Sequence, residues 1–438
     1  MEQMEGPVSL RAFARLIATN VNYRRLWLAQ LVSEIGDWLA SIVVYSLLIE
    51  LTGKAESVGL ALVVQVLPQF FVSPMAGAIN DRVSRRKVMM FADLVRAFLM
   101  GSLIFVQSAD RLWLLYVLLA LETVMWGFFE PARTAIIPNI TRSETEKVTA
   151  NTLSSITWSM NFFLGAALGG ALAAEFGRNF VFLLDGVSFL ASAWFVWRMK
   201  FEEPHTADHP PLRLRDLFDF QPVLEGIRYI RAEQKRWSTL MVKAGVGWIG
   251  TNYVILSWMG EHDFPIFLAG YSAREAGMLG ISVLMGARGV GAIAGPFLMG
   301  RWAGSSEHRM RWGIALGFLG ALLGYTSLAW APSVGPALAG IVLAHAGSSI
   351  AWVFSTTLLQ RFSEDRYRGR ILSTDFGGMV ISLSIASALA GWAVDHGVPV
   401  RTVAQVTALT MIVPGCLWLY LTRGWSARDE SPPISSGA

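Results

Sequence analysis

The chain of 438 residues is 53% hydrophobic and only 16% charged, with 36 Lys and Arg against 32 Asp and Glu and a net charge of +4. A soluble domain carries about 25% charged residues, so these charges are too few to cover a soluble surface. The basic excess forms no continuous face, which argues against a nucleic-acid partner, and it falls between apolar stretches of roughly 20 residues, the helical length that crosses about 30 Å of hydrocarbon.

Taken in chain order, apolar runs bounded by charge, Gly and Pro predict membrane spans near residues 25–50, 57–79, 88–107, 112–130, 150–173, 179–197, 238–259, 272–299, 311–331, 335–359, 371–392 and 402–422. The first stretch, Leu26 to Leu51, is too long for a cleaved signal peptide and lacks a small-residue cleavage site, so it is expected to stay in the mature protein. Twelve spans place both termini on one side. Of the 36 basic residues, 28 lie on that side; Lys54, Arg111, Arg178, Arg274 and Arg401 lie opposite, and Arg96, Lys243 and Arg288 fall inside spans. Under the positive-inside rule the termini are cytoplasmic and the protein sits in a bacterial-type inner membrane. The polar stretch Met199 to Trp237 divides the chain into a first six-helix bundle, 1–198, and a second, 238–438. Within this 199–237 linker, Leu212 to Tyr229 interleaves charged with apolar residues, as an amphipathic helix on the cytoplasmic face does. The single cysteine, Cys416, lies in the last span, so an intrachain disulfide and Cys-rich metal binding are excluded.

The loop after the second span reads Gly77-Ala-Ile-Asn-Asp81-Arg82-Val-Ser-Arg85-Arg86-Lys87. It resembles the signature of the major facilitator superfamily between its second and third helices, with Ser84 where the family has a second glycine. The resemblance implies twelve helices in two pseudo-symmetric six-helix halves, with Gly77 allowing close helix approach and Asp81, Arg82, Arg85 and Arg86 forming a cytoplasmic latch; the competing reading is that Arg82 to Lys87 only enforce topology. Glu130-Pro131-Ala132-Arg133, continuing through Ala135, Pro138 and Ala150-Asn151, together with Trp27-Leu-Ala-Gln30 and Gly36-Asp37, is similar to the branch that includes the enterobactin exporter and the macrolide-efflux proteins. Arg133 joins the latch group on that resemblance. Gln360 and Arg368-Gly369-Arg370 match the branch more weakly. Gly165-Ala-Ala-Leu-Gly169-Gly170 resembles the antiporter signature of drug:proton exchangers, with Ala166 in place of its proline; small residues at this spacing also serve plain helix packing.

Ionisable residues inside spans must face a cavity, pair, or be protonated, because a carboxylate at the bilayer centre costs at least about 2.5–3.5 kcal/mol. Glu34 and Asp37 lie three apart on one face of the first span, and Glu122 lies halfway along the fourth, followed one turn later by Trp126. The resemblance implies that these two spans line the central cavity. Asp37, Glu34 and Glu122 are therefore candidates for proton coupling or substrate contact, with interhelical hydrogen bonding as the alternative. Asp93 and Arg96 read as a local ion pair. Arg288, Lys243 and Asp375 sit toward span ends where basic chains snorkel. His345 in the tenth span is either a proton or anion contact or hydrogen-bonded packing.

The chain carries no Gly-rich loop followed by Lys-Ser or Lys-Thr, no His-Glu-x-x-His and no Gly-x-Ser-x-Gly, which argues against ATP drive and intramembrane catalysis. The expectation is an all-α membrane protein, not an enzyme and without cofactor or metal, acting as a monomer among membrane lipids. It would export an amphipathic small molecule such as a drug, macrolide or siderophore by alternating access in exchange for protons. The rival transport reading is a lysophospholipid carrier not driven by protons.

Overall fold

A computed structural model describes residues 9–203, 221–304 and 306–425, the side chains of residues 73, 74, 81, 221–223, 226, 365–370 and 373 excepted. Polarity is inverted relative to a soluble protein. Asp93, Arg96 and Asp185 are buried, whereas Phe98 is 73% exposed and Trp330 78% exposed. Such a surface suits hydrocarbon, where every backbone polar group must be satisfied internally and a helix does so within one segment.

The helices, in order, are α1 (Leu10–Thr19), α2 (Val21–Thr52), α3 (Ala55–Arg82), α4 (Arg85–Ser102), α5 (Leu112–Ile140), α6 (Glu144–Phe176) and α7 (Arg178–Trp197). After residue 220 follow α8 (Gln221–Arg231), α9 (Gln234–Gly247), α10 (Asn252–His262), α11 (Ala273–Ala303), α12 (Glu307–Ala329), α13 (Val334–Arg361), α14 (Asp365–Asp395), α15 (Val400–Thr410) and α16 (Ile412–Leu421). Among the described residues, eleven segments are long and apolar enough to cross a membrane. The remaining expected span, 238–259, is helical but interrupted: α9 passes through a 3-10 turn, Trp248–Thr251, into α10. The glycines at this break admit a close neighbour. A Cβ on Gly247 would lie 2.7 Å from the Met379 carbonyl oxygen, and one on Gly250 would lie 2.6 Å from that of Leu383.

Two features depart from the expected spans. The amphipathic α1, with Phe13 and Leu16 buried, precedes the first span. Ser9 caps it by accepting from the Ala12 N–H (3.1 Å). The fourth span does not end at residue 130 but runs through Pro131 and Pro138 to Ile140, so Glu130-Pro-Ala-Arg133 lies inside a helix and Arg133 is buried, not in a loop. A proline is tolerated there because its missing hydrogen bond can be compensated by local adjustment and by neighbouring helices. Of the expected amphipathic linker helix, α8 covers the described end; residues 212–220 lie outside the described residues.

The described helices form two compact units, one drawn from Met1–Asp219 with Gly260–Gly286, the other from Phe220–Met259 with Ala287–Ala438. The expected halves, 1–198 and 238–438, differ in the placement of Gly260–Gly286. This segment is tied to the first unit by the Ser282 hydroxyl, which accepts from the Gly170 N–H (2.7 Å), and by Arg274 paired with Glu50 (3.1 Å). Tyr271 donates its hydroxyl to Glu175 (3.1 Å), and that carboxylate raises the phenol's pKa.

In the first unit, α6 packs on α2 through Gly165 and Gly169. A Cβ at Gly165 would collide with that of Trp38, and one at Gly169 would lie 2.6 Å from the Leu39 carbonyl oxygen. Gly169→Val is therefore expected to cost about 1–3 kcal/mol through overpacking, visible as a lower melting temperature of the purified protein; an unchanged melt would refute this contact. An apolar cluster including Tyr23, Leu26, Met89, Phe129, Ile136 and Val196 packs the ends of α2, α4, α5 and α7.

Candidate functional site: a buried charge cluster in the first unit

Three helices each bring a charged side chain to one point. From α4, Arg96 places Nη2 2.7 Å from Asp37 Oδ2 on α2 and 2.8 Å from Glu122 Oε1 on α5, and its Nε donates to the same Glu122 oxygen at 2.9 Å. Asp93, one turn before Arg96, is farther, at 3.9 Å, and its Oδ2 accepts from the Ser192 hydroxyl on α7 (2.6 Å). The Arg96 guanidinium also lies over the Phe189 ring, 4.0 Å from its centroid, and 5.9 Å from that of Phe129. A guanidinium presents several donors in a fixed fork, which is why one residue can hold two carboxylates at once. Asp37 retains 24% of its side-chain exposure and Glu122 14%, against 2% for Arg96, so the carboxylates are the accessible rim and the cation the buried centre. Gly36 lets α7 reach this point: a Cβ there would collide with Asp185 Oδ1 and lie 2.5 Å from Ser188 Oγ.

Asp93 and Arg96 do pair as their spacing implies, at 3.9 Å, but the shorter contacts of Arg96 run to other helices. Asp37 and Glu122 do come together, through Arg96. Glu34 does not join them. It belongs to a second cluster, accepting from Gln30 Nε2 (2.9 Å) and Asn161 Nδ2 (3.2 Å). In that cluster Arg133 pairs with Glu130 (2.5 Å) and donates to Gln30 Oε1 (2.9 Å). The guanidinium assigned by resemblance to the latch is accordingly engaged inside the helix bundle. Trp126, one turn beyond Glu122, is half-buried.

At the loop between α3 and α4, Arg85 donates to the Ala135 carbonyl (2.9 Å) and to Asn139 Oδ1 (3.3 Å), and Arg86 donates to the Met199 carbonyl (2.7 Å). Arg82 donates to the Ala78 carbonyl (3.2 Å), and a Cβ on Gly77 would meet open space. Glu203 accepts from the Ser84 hydroxyl (2.5 Å) and the Arg85 N–H (2.7 Å), capping α4. The Asp81 side chain lies outside the described residues, as do those of Arg368 and Arg370.

In the second unit His345 is buried, with Nε2 3.2 Å from the Tyr325 hydroxyl. Arg288 donates to the Tyr253 hydroxyl (2.9 Å). Lys243 and Asp375 do not snorkel. They pair with each other at 2.5 Å, 5% and 1% exposed, and the Lys243 ammonium lies 4.7 Å from the Trp352 ring centroid. Among the described residues no group of three or more His, Cys, Asp or Glu could hold a metal ion.

The helical architecture, with charge buried within it and apolar side chains outside, is that of a multi-pass membrane protein. Residues 26–287 match the Major Facilitator Superfamily, and the chain belongs to that family. It is similar to BacE, a candidate bacilysin exporter of Bacillus subtilis (strain 168), at 24% identity over 74% of this chain and 77% of that protein. Macrolide efflux protein A of Streptococcus pyogenes is 22% identical over 83% of this chain and 87% of that protein. The chain therefore falls with the efflux branch, as its motifs imply. Among solved structures, the nucleoside transporter NupG shares the fold at a TM-score of 0.69, with 10% identity, covering 92% of this chain and 99% of that one.

Proposed function

We propose that this transporter exports an amphipathic small molecule by alternating access in exchange for protons, with Asp37, Arg96 and Glu122 as the coupling unit. The observation that carries the reading is the single guanidinium shared by two partly accessible carboxylates from different helices. A proton taken up by either carboxyl cancels its charge and releases it from Arg96, which then holds the other alone. Because each carboxylate belongs to a different helix, this exchange alters which helices are tied together, and a proton is converted into a change of packing. An amphipathic cargo fits the efflux names of the relatives. Termini on the cytoplasmic face of an inner membrane, a monomeric state, and a latch role for Arg82, Arg85 and Arg86 complete the reading.

The test is a proteoliposome assay with an imposed proton gradient and a panel of macrolides, catecholate siderophores, bacilysin, dyes and lysophospholipids. Gradient-driven movement of one compound is expected for the wild type. Asp37→Asn is expected to abolish that movement while leaving gradient-independent exchange of the same compound intact. A lysophospholipid moved equally well without a gradient, and unaffected by Asp37→Asn, would replace this reading with that of a lipid carrier.

A further inference from the structure

Where α7 ends beside the first turns of α2 and α4, four basic residues border one cavity of about 450 Å³: Arg25, Arg86, Arg198 and Lys200, with Trp197 and Met199. Two of the cations are held in place by the chain following α7. Arg25 donates to the Arg198 carbonyl, and Arg86 donates to that of Met199 (2.7 Å). Each of these guanidinium groups has further N–H donors beyond the one used. Arg198 is exposed and leans over the Trp194 ring, 5.4 Å from its centroid, and Lys200 is exposed as well. The acidic groups on the same stretch are Glu202 and Glu203, and Glu203 is already engaged by Ser84 and the Arg85 N–H.

This basic cavity opens onto a surface that only hydrocarbon would solvate. On α7, Leu190, Trp194 and Trp197 follow one another at helical spacing and are 49%, 50% and 57% exposed, leading directly to Arg198. On α4, Phe91, Leu94 and Phe98 form a matching row at 62%, 52% and 73%. Basic cavities at the ends of membrane helices attract anionic headgroups, and indole rings sit at headgroup level. A soluble anion would use the charges and ignore the apolar rows, whereas a phospholipid uses both.

We propose that this cavity binds the headgroup of an anionic phospholipid, its phosphate held by Arg25, Arg86, Arg198 and Lys200 and its acyl chains lying along the exposed rows of α4 and α7. The site lies wholly within the first unit, and its exposed charges Arg198 and Lys200 have no part in the proposed transport reaction.

The test uses the purified full-length protein in detergent, titrated with phosphatidylglycerol or phosphatidylcholine and read by native mass spectrometry. Wild type should retain phosphatidylglycerol preferentially. The double variant Arg198→Gln/Lys200→Gln alters only exposed side chains; it should bind phosphatidylglycerol about twenty-five-fold more weakly, from about fivefold per charge, with an unchanged melting temperature. Arg309→Gln, an exposed arginine on α12, should bind as wild type does. Equal retention of the two lipids, or a preference undiminished in the double variant, overturns the proposal. Displacement of bound phosphatidylglycerol by an equimolar amount of inorganic phosphate would also overturn it, because it would mark a site for the free anion.

Discussion

Arg96→Gln is expected to destabilise the protein by about 3–5 kcal/mol, the usual cost of removing one partner from a buried ion pair. The cost arises from what stays behind: Asp37, Glu122 and Asp93 would share a low-dielectric site with no cation, although Ser192 still donates to Asp93. Arg96→Lys should fall between wild type and Arg96→Gln, because one ammonium is a compact charge without the fork that reaches two carboxylates. Adding Asp37→Asn and Glu122→Gln to Arg96→Gln should recover much of the lost stability, since it removes the unpaired charges. The measurement is thermal unfolding of each purified variant in one detergent. A melt for Arg96→Gln equal to that of wild type would mean that the guanidinium is not the electrostatic centre of the cluster. Recovery of stability without recovery of gradient-driven transport in the triple variant would separate the structural role of the cluster from its proposed coupling role.

The second large effect is expected in the other unit. Lys243→Met should also cost about 3–5 kcal/mol, because it strands Asp375, which is 1% exposed and otherwise meets the ammonium at 2.5 Å. Asp375→Leu alone should be similarly damaging. The double variant Lys243→Met/Asp375→Leu should approach wild-type stability, as buried pairs replaced by apolar residues of similar volume often do. Near-additive losses in the double variant would show that the two side chains are supported independently.

Much of the architecture is legible in the sequence because the membrane imposes one dominant rule, about 20 apolar residues per span. Hydropathy alone fails where the rule is bent. The segment expected at 238–259 reads as one continuous span, yet Gly247 and Gly250 meet the backbone of α14 and the helix changes pitch there. The fourth span continues past residue 130 because charge marked its end too early: Glu130 and Arg133 look like loop residues, but they neutralise each other inside the bundle.

The charge cluster was half legible. Asp37 and Glu122 stand out as carboxylates in apolar runs, and their helix faces are readable from spacing. Arg96 is equally conspicuous, but its three-residue distance from Asp93 suggests a local partner, and only the fold shows that Asp37 and Glu122 lie closer. A count of charges within spans could have pointed to it, since the first half holds several intramembrane carboxylates and Arg96 is the one basic residue expected inside its spans. Asp185, in the apolar run 179–197, carries the same signal as Asp37 and Glu122, whereas Ser188 and Ser192 carry none. Their relevance comes from α7 packing against α2 and α4, which depends on a glycine at position 36.

The ring of Phe189 beneath Arg96 bears on how freely the cluster can rearrange. An arginine cannot shed its charge when a partner leaves, and a bare cation in hydrocarbon would hold its last carboxylate too tightly to let go. The electron-rich face of Phe189 4.0 Å away, with Phe129 on the other helix at 5.9 Å, offers a weak counterpart that needs neither proton nor water. It lowers the penalty of the partly unpaired state and so flattens the barrier between alternative pairings. In the proposed coupling reaction, the aromatic residues beside the cluster would set how quickly it switches, and the carboxylates when.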